Sequence, residues 1–201
     1  MPKINKISKN TDNRFLNMYT LETTNKKGGQ GKYFLASRAE SIDKLKINTR
    51  KNTPDGVCIY SLYGENKDKV VLIRQYRYTI DDYLYEFPAG LVEPEEEYHA
   101  AAIREMKEET GLDLHPITVE ECYERAYYTT IGMTDEACAT VYGISTGEIS
   151  REGQEDSEDI EIVIADREEV RRILREENVA IMCSYMLMHC LHDEDPFAFL
   201  K

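Results

Sequence analysis

Residues 90–112 read GLVEPEEEYHAAAIREMKEETGL, and this stretch decides the fold that we predict for the chain. Pro94 and the acidic residues after it suit the first turn of a helix, which accommodates the fixed φ of proline and favours negative charge. Gly111 suits a left-handed C-terminal cap. The stretch therefore predicts a helix from about Glu95 to Thr110. Its apolar stripe consists of Ala102, Ile103 and Met106.

The acidic residues at the end of this helix have a defined geometry. Glu105, Glu108 and Glu109 stand three and four positions apart, so they project from one helix face and repel one another. One interpretation is a solvated acidic surface, which is where Glu is usually found. The alternative is a site for a hard divalent cation, which needs several carboxylate oxygens and would relieve the repulsion.

The composition limits the classes of protein to which the chain can belong. Its 201 residues are enough for one good core with a small appended subdomain. A formal charge of -13 argues against nucleic-acid binding, which needs clustered Lys and Arg. The five cysteines form no C-x-x-C pair, and the chain has neither an apolar leader nor a run of about 18 apolar residues. We expect a cytoplasmic protein that does not enter a membrane.

The order of the predicted elements indicates an α+β protein with a mixed sheet. Residues 1–13 are expected to be a polar lead-in, and two strand-like runs follow it within a small β-subdomain that we assign to residues 1–50. Further strand-like runs lie in residues 51–201. In chain order, the predicted strands are Phe15 to Thr23, Tyr33 to Arg38, Val57 to Tyr63, Val70 to Tyr76, Tyr83 to Phe87, Ile117 to Thr130, Ala137 to Ile149 and Ile160 to Ala165.

Two helices are predicted near the C-terminus. Asp166 suits the N-cap of a helix that ends at about Glu176, and Glu169 completes a capping-box pattern with it. The last helix runs from Ala180 to His192. Its apolar residues at helical spacing are interpreted as core, and they are Ile181, Tyr185, Met188 and Leu191 or His192.

The 90–112 stretch matches, without a gap, the pattern G-x5-E-x7-R-E-U-x-E-E-x-G-U of the Nudix hydrolases, in which U is a bulky aliphatic residue. The matching residues are Gly90, Glu96, Arg104, Glu105, Met106, Glu108, Glu109, Gly111 and Leu112. The segments Arg74-Gln-Tyr-Arg77 and Glu86-Phe-Pro-Ala-Gly90 resemble the ADP-ribose pyrophosphatase branch of that family. The resemblance implies a Nudix α/β/α sandwich over residues 51–201. It also implies a homodimer. The N-terminal subdomain would form this dimer, and dimer formation would complete each substrate site.

The resemblance also assigns roles to individual residues. Glu105, Glu108 and Glu109, with the backbone carbonyl of Ala89, would hold Mg2+ or Mn2+, and Arg104 with Glu96 would keep the loop and helix in register. Clustered cations of this kind neutralise a pyrophosphate and activate water. The general base is expected from the acidic loop over residues 153–159. The candidates are Glu158 and, behind it, Asp156 and Glu155, although a solvated loop is the alternative.

The expected substrate contacts lie outside the 90–112 stretch. The residues assigned to them are Arg74, Tyr76, Arg77, Gly132 and Met133. A structural role is an equal alternative for Arg74. Tyr76, Tyr127 and Tyr128 are candidates for stacking on a base, and a buried sheet tyrosine is the alternative for each of them.

The function that the resemblance implies is metal-dependent hydrolysis of ADP-ribose or a related nucleoside diphosphate sugar, which gives a nucleoside monophosphate and a sugar phosphate. Ile131 stands where the ADP-ribose branch tends to carry Pro. GDP-mannose or a dinucleotide therefore stays open as an alternative substrate. A Nudix-fold module that binds its ligand without cleaving it is a further alternative. Such modules usually lose carboxylates of the motif, and none is lost here.

Overall fold

The computed structural model describes residues 1–201. Its strands are β1 (Lys3–Lys9), β2 (Asn17–Thr24), β3 (Gln30–Ser37), β4 (Gly56–Tyr63), β5 (Lys69–Arg77), β6 (Asp82–Glu86), β7 (Ala89–Leu91), β8 (Asp113–Pro116), β9 (Tyr127–Tyr128), β10 (Ala137–Thr146) and β11 (Ile160–Ala165). Its helices are α1 (Lys46–Thr49), α2 (Tyr98–Thr110), α3 (Glu121–Glu124), α4 (Arg167–Glu176) and α5 (Ile181–His192). The chain forms two compact units, one made of Met1–Asp55 with Ala126–Cys138 and one made of Gly56–Arg125 with Ala139–Lys201.

The first unit contains a three-stranded antiparallel sheet in the order β1-β2-β3. Its small core consists of Tyr19, Leu21, Leu35 and Leu45. The prediction of a polar lead-in over residues 1–13 is wrong, because Lys3–Lys9 forms a strand. In that strand Ile7 pairs opposite Leu21 and packs on the core. Most residues of this edge strand are polar, as is usual for edge strands, so the sequence did not reveal that Ile7 packs on the core.

The second unit is a sandwich of helices around a sheet whose central order is β11-β5-β4-β10-β8. Successive side chains of a strand point to opposite faces, and β4 shows this directly. Val57 and Ile59 belong to the apolar cluster that includes α2, whereas Tyr60 and Leu62 belong to the cluster that includes α4 and α5. Helices therefore cover both faces of the sheet, which confirms the predicted α+β class and α/β/α sandwich.

Helix α2 begins later than the sequence predicted. Glu95 has a φ of 67°, outside the helical region, and Glu97 is the N-cap, whose side chain accepts a hydrogen bond of 2.9 Å from His99 N. The carboxylate of Glu97 therefore caps the first turn instead of lying within it. The predicted C-terminal end is confirmed, because Gly111 adopts a φ of 76° as the cap. On the helix face, Ala101 takes the buried place that was predicted for Ile103, which is exposed.

The segment predicted as a strand from Ile117 to Thr130 is not one. It contains the single helical turn α3 and the two-residue strand β9. Its β-prone residues Val119 and Tyr123 instead pack from non-strand backbone onto the larger apolar cluster. Tertiary packing therefore overrides the β-propensity of this segment.

The last two helices lie where they were predicted. Asp166 Oδ1 accepts hydrogen bonds of 2.9 Å from the backbone N–H groups of Glu168 and Glu169, which confirms the N-cap of α4. The apolar stripe predicted as the core face of α5 is wrong: Ile181 is 68% exposed, and Tyr185 and Met188 are exposed as well. The buried residues of α5 are Cys183, Leu187 and Cys190. No helix of the structure has the length and apolar character that a membrane crossing requires.

The environment of His99 predicts a pH dependence of stability. Burial lowers the pKa of His99, but its hydrogen bonds to Glu97 and Glu124 outweigh burial and leave that pKa above its ordinary value. A raised pKa in the folded state means that protonated His99 stabilises the fold fully below its unfolded pKa of about 6.5. We expect this contribution, under about 1 kcal/mol for a partly exposed pair, to disappear as the pH rises through the folded pKa.

The measurement is the free energy of unfolding in urea at pH 6 to 9 for the wild type and His99→Gln. The difference between the two proteins should shrink as the pH rises. A difference that stays constant across this range would contradict the assignment to His99.

Candidate active site

The three predicted carboxylates of α2 differ in burial: Glu109 is buried, Glu105 is partly buried and Glu108 is exposed. The side chains of Glu105 and Glu108 are 14% and 48% exposed, and Glu109 as a residue is 2% exposed. Strand β7 pairs with β4 and so fixes the backbone of Ala89 beside the helix. The N–H of Ala89 donates a hydrogen bond of 3.1 Å to Glu109 Oε2. The structure therefore brings Ala89 and Glu109 into direct contact.

Gly90 makes room for the carboxyl group of Glu105. A Cβ atom at position 90 would lie 1.9 Å from Glu105 Cδ and 2.0 and 2.3 Å from its two carboxylate oxygens. A side chain at position 90 would fit only if the carboxyl group of Glu105 moved away. The glycine of the motif is therefore required by close approach of β7 to a carboxylate, and not by an unusual φ.

Arg104 joins the loop after β7 to the acidic face of α2. Its guanidinium donates two hydrogen bonds to the carboxylate of Glu96, at 3.1 and 3.0 Å, and one of 3.0 Å to the carbonyl of Leu91. It also donates to Glu105, at 2.8 Å, and to Glu108, at 3.0 Å. With Arg104 in this position, no three acidic, His or Cys side chains converge closely enough to hold a metal ion.

The buried carboxylates are electrostatically unfavourable in their anionic form. Burial raises the pKa of Glu109 well above its usual range. The hydrogen bond from Ala89 N–H lowers this pKa, whereas the nearby charges of Glu158 and Glu105 raise it further. Burial also raises the pKa of Glu105, although Arg104 opposes this change. Glu105, Glu108, Glu109 and Glu158 thus outnumber the two neighbouring guanidinium groups, those of Arg104 and Arg77, and additional positive charge would stabilise the site.

The acidic loop over residues 153–159 packs against the C-terminal end of α2. The side-chain amide of Gln154 donates a hydrogen bond of 2.8 Å to the carbonyl of Glu109. Gly153 lies so close to Glu108 that an added Cβ would be 2.8 Å from the Glu108 carbonyl oxygen. Glu158 is half-buried and repels both Glu105 and Glu109. The structure therefore brings Glu158 to the carboxylates of α2.

The other two acidic candidates of this loop differ from Glu158. Asp156 and Glu155 are exposed, and neither is among the charges that most affect the pKa of Glu105 or Glu109. Glu158 is therefore the best placed of the three candidate bases.

The two arginines of β5 have different surroundings. Arg77 forms a bidentate pair with Glu86, at 2.7 and 3.0 Å, and Glu109 and Glu158 raise its pKa further, after Glu86 itself. Arg77 therefore lies near the carboxylates of the candidate site. Arg74 instead pairs with Glu161 at 3.2 Å and lies 4.2 Å over the ring of Tyr83, which favours its structural alternative.

Tyr76, the remaining predicted contact in this region, donates its hydroxyl hydrogen bond to Asp81. Its ring makes edge contacts with Tyr78 and Tyr83. The sequence had not singled out Tyr83 or Gln154, because a lone Tyr on a strand and a lone Gln in a loop belong to no motif.

Gly132 and Met133 belong to the first unit. The hydroxyl of Tyr33 donates to the carbonyl of Gly132, and Ala36 N donates to that of Met133 at 2.9 Å. These contacts hold the loop on β3 and leave the Met133 side chain exposed. Tyr127 and Tyr128 are exposed, so their alternative interpretation as buried sheet tyrosines is wrong.

The sandwich, the glycine against Glu105 and the carboxylates of α2 together define a Nudix-type domain. A model of the NUDIX domain family matches residues 52–182, which is more than half of the chain. The chain therefore belongs to the NUDIX domain family, and the family predicted from the sequence is confirmed.

Two curated relatives carry related names. The "ADP-sugar pyrophosphatase" of Mus musculus is 38% identical over 77 residues, which cover 37% of this chain and 35% of that protein. The "ADP-ribose pyrophosphatase" of Bacillus subtilis is 29% identical over 128 residues, which cover 63% of this chain and 65% of that protein. The chain therefore spans less than two thirds of the length of either relative.

A solved structure, "Crystal structure of ADP compounds hydrolase", superposes with a TM-score of 0.63. The alignment covers 87% of this chain and 83% of the other, with 18% sequence identity. At that identity the likeness shows the fold alone.

The burial of Glu109 predicts that its charge destabilises the protein in the absence of metal. We expect Glu109→Gln, in EDTA at pH 7.5, to raise the free energy of unfolding by about 1–2 kcal/mol. Gains of this size are usual when a destabilising active-site group is replaced. The glutamine oxygen can still accept the hydrogen bond from Ala89 N.

Glu108→Gln is the matched control, because its side chain is about half exposed and a surface change of this kind stays within about 0.5 kcal/mol. Urea unfolding of both variants checks the expectation. Equal shifts in the two proteins would show that burial of Glu109 does not carry the effect.

Proposed function

We propose that the protein hydrolyses the pyrophosphate bond of ADP-ribose or a related nucleoside diphosphate sugar, giving a nucleoside monophosphate and a sugar phosphate. The observation that carries the proposal is the grouping of Glu105, Glu109 and Glu158, buried or half-buried and mutually repelling. Grouping carboxylates that repel one another is unfavourable, and such a grouping is typical of a site that binds cations and activates water. The names of both curated relatives point to the same class of substrate.

The proposal includes a divalent cation, Mg2+ or Mn2+. Oxygen ligands from carboxylates and carbonyls are those that hard cations prefer, and the excess negative charge around Glu109 fits such a group. Glu105, Glu108, Glu109 and the backbone carbonyl of Ala89 would hold it. When bound, the cation would neutralise charge on the pyrophosphate and acidify a water molecule.

The protein's own residues supply the remaining roles in this proposal. Glu158 would accept a proton from the attacking water, since it is the one candidate base of the acidic loop whose charge acts on both Glu105 and Glu109. Arg104 would keep its hydrogen bonds to Glu96 and Leu91 and so hold the loop after β7 while Glu105 and Glu108 turn to the cation. Arg77, held by Glu86, would bind a phosphate oxygen.

Several further assignments remain proposals. Tyr76, Gly132 and Met133 are each proposed as substrate contacts, as the sequence predicted, whereas for Arg74 the pairing with Glu161 favours the structural alternative over the predicted substrate contact. We also propose a homodimer formed through the first unit, which exposes the apolar side chains of Phe15, Met18 and Phe34. A cytoplasmic location is supported by five cysteines that form no disulfide.

A substrate panel tests the proposed function. ADP-ribose, ADP-sugars, GDP-mannose and a dinucleotide would each be incubated with Mg2+ or Mn2+, and the products would be identified. We expect AMP and a sugar phosphate from ADP-ribose, loss of turnover in EDTA, and a fall in kcat of at least about 100-fold for Glu109→Gln, since a catalytic charge is removed.

The alternatives predict different outcomes of the same experiment. Faster turnover of GDP-mannose or the dinucleotide would move the protein to another Nudix substrate class. Tight binding of ADP-ribose without any AMP would identify a binding module, and full activity of Glu109→Gln would refute the metal-site assignment.

The close approach of Gly90 to Glu105 gives a second test of the same site. Gly90→Ala forces the Glu105 carboxyl group to move, but this group is the flexible end of a side chain, so we expect a small loss of stability, below about 1 kcal/mol, compared with the 1–3 kcal/mol of true overpacking. Cation binding should suffer much more, with at least a tenfold higher Mg2+ concentration for half-maximal activity.

The matched control for this variant is Gly64→Ala, because Gly64 also lies in the second unit and its nearest neighbour to an added Cβ is 3.8 Å away. Gly64 has a positive φ, so the control should lose stability without any change in the Mg2+ requirement. An unchanged Mg2+ requirement in Gly90→Ala would contradict the role of Glu105 as a ligand.

A further inference from the structure

The loop that carries Glu158 is fixed at its beginning by the end of α2. The last carbonyl groups of a helix lack partners within the helix. Here Ser150 N donates to the carbonyl of Thr110 at 2.9 Å, and the Gln154 side-chain amide donates to that of Glu109 at 2.8 Å. The first anchor of the loop is therefore the same helical turn that carries Glu109.

The loop is fixed at its other end by β5 and β6. Asp159 follows Glu158 directly, and its carboxylate accepts a hydrogen bond from the hydroxyl of Tyr83. The carbonyl of Asp159 also accepts a hydrogen bond of 3.1 Å from Tyr76 N. The ring of Tyr83 is itself held, because the guanidinium of Arg74 lies 4.2 Å above it and pairs with Glu161 at 3.2 Å.

A tight turn connects the two anchors. Glu158 N donates to the carbonyl of Glu155 at 2.9 Å, and Glu155 N donates to Glu158 Oε2 at 3.3 Å. Only a few residues separate Gln154 from Asp159, so two fixed ends leave the backbone of Glu158 little freedom. The position of Glu158 is therefore set by the hydrogen bonds of Gln154 before it and of Asp159 after it.

We propose that Gln154 and Tyr83 are positioning residues that hold Glu158 at its working distance from Glu105 and Glu109. This inference rests on the proposed function, in which Glu158 accepts the proton of the attacking water. A general base must lie within hydrogen-bonding reach of that water. A displacement of about 1 Å can cost about 100-fold in rate. Loss of either anchor thus acts on catalysis through Glu158.

Tyr83→Phe and Gln154→Met each remove one anchor while keeping the size of the side chain. Tyr85→Phe is the matched control, because Tyr85 lies on the same strand and its hydroxyl accepts a hydrogen bond of 3.2 Å from Arg172 instead of contacting the loop. Hydrogen–deuterium exchange of residues 150–159 is the first measurement. We expect faster exchange in Tyr83→Phe and Gln154→Met, and no change in Tyr85→Phe.

Turnover in the background of Glu158→Gln is the second measurement. We expect Tyr83→Phe to lower kcat by about 10-fold or more in the wild-type background, with KM changed by less than about threefold, because the lost group acts on the chemical step. In Glu158→Gln the same substitution should have almost no further effect, since residues that act through one another are not additive.

Each contrary outcome has a defined meaning. Unchanged exchange in both anchor variants, equal effects of Tyr83→Phe with and without Glu158, or full turnover of Glu158→Gln would each overturn the positioning role. Absence of hydrolysis by the wild type would refute the proposed function, and hydrogen exchange would still decide whether Tyr83 and Gln154 fix the loop.

Discussion

Glu109 is a buried residue, 2% exposed, and the surrounding structure compensates for only part of the cost of burying its carboxylate. An isolated buried charge costs several kcal/mol unless other groups stabilise it. Strand β7 supplies one hydrogen bond through Ala89 N, and Arg77 supplies favourable charge from β5. Glu105 and Glu158 have the opposite effect. The balance is unfavourable for an anion, and additional positive charge, such as that of the proposed cation, would stabilise it.

The position of these carboxylates within α2 adds to the same imbalance. Glu108 and Glu109 lie in the last turn of the helix, where the dipole presents partial negative charge and favours cations. Lys107 offsets part of this charge, because its ammonium donates to the carbonyl of Gly111 at 2.8 Å and to Asp113 at 2.9 Å. It points toward the helix cap and contacts none of the three carboxylates. The end of α2 therefore concentrates negative potential where the motif also places its carboxylates.

Several features with a local cause were predictable from the sequence, although the start of α2 at the Glu97 cap was not, and features decided by packing were missed. The N-cap Asp166 and the cap Gly111 depend on their own backbone, and both were correctly predicted. Helical spacing on α5 was equally consistent with two faces, and the buried face proved to be the one with Cys183 and Leu187. Within the candidate site, the fixed spacing of the motif identified the carboxylates. It gave no sign of Tyr83, which meets the acidic loop only in the folded chain.

There is a physical reason why the sequence did not identify Tyr83, and it lies in how the site is held together. Glu109 and Glu158 are far apart in sequence and carry like charges, so they cannot hold each other in place. Their separation must instead be fixed by neutral contacts, namely helix carbonyls capped by Ser150 and Gln154 and a tyrosine hydroxyl bound to Asp159. The carboxylates of the motif lie on one helix, so their spacing in the sequence is fixed and can be recognised. The groups that hold like charges together come from separate segments and leave no common pattern.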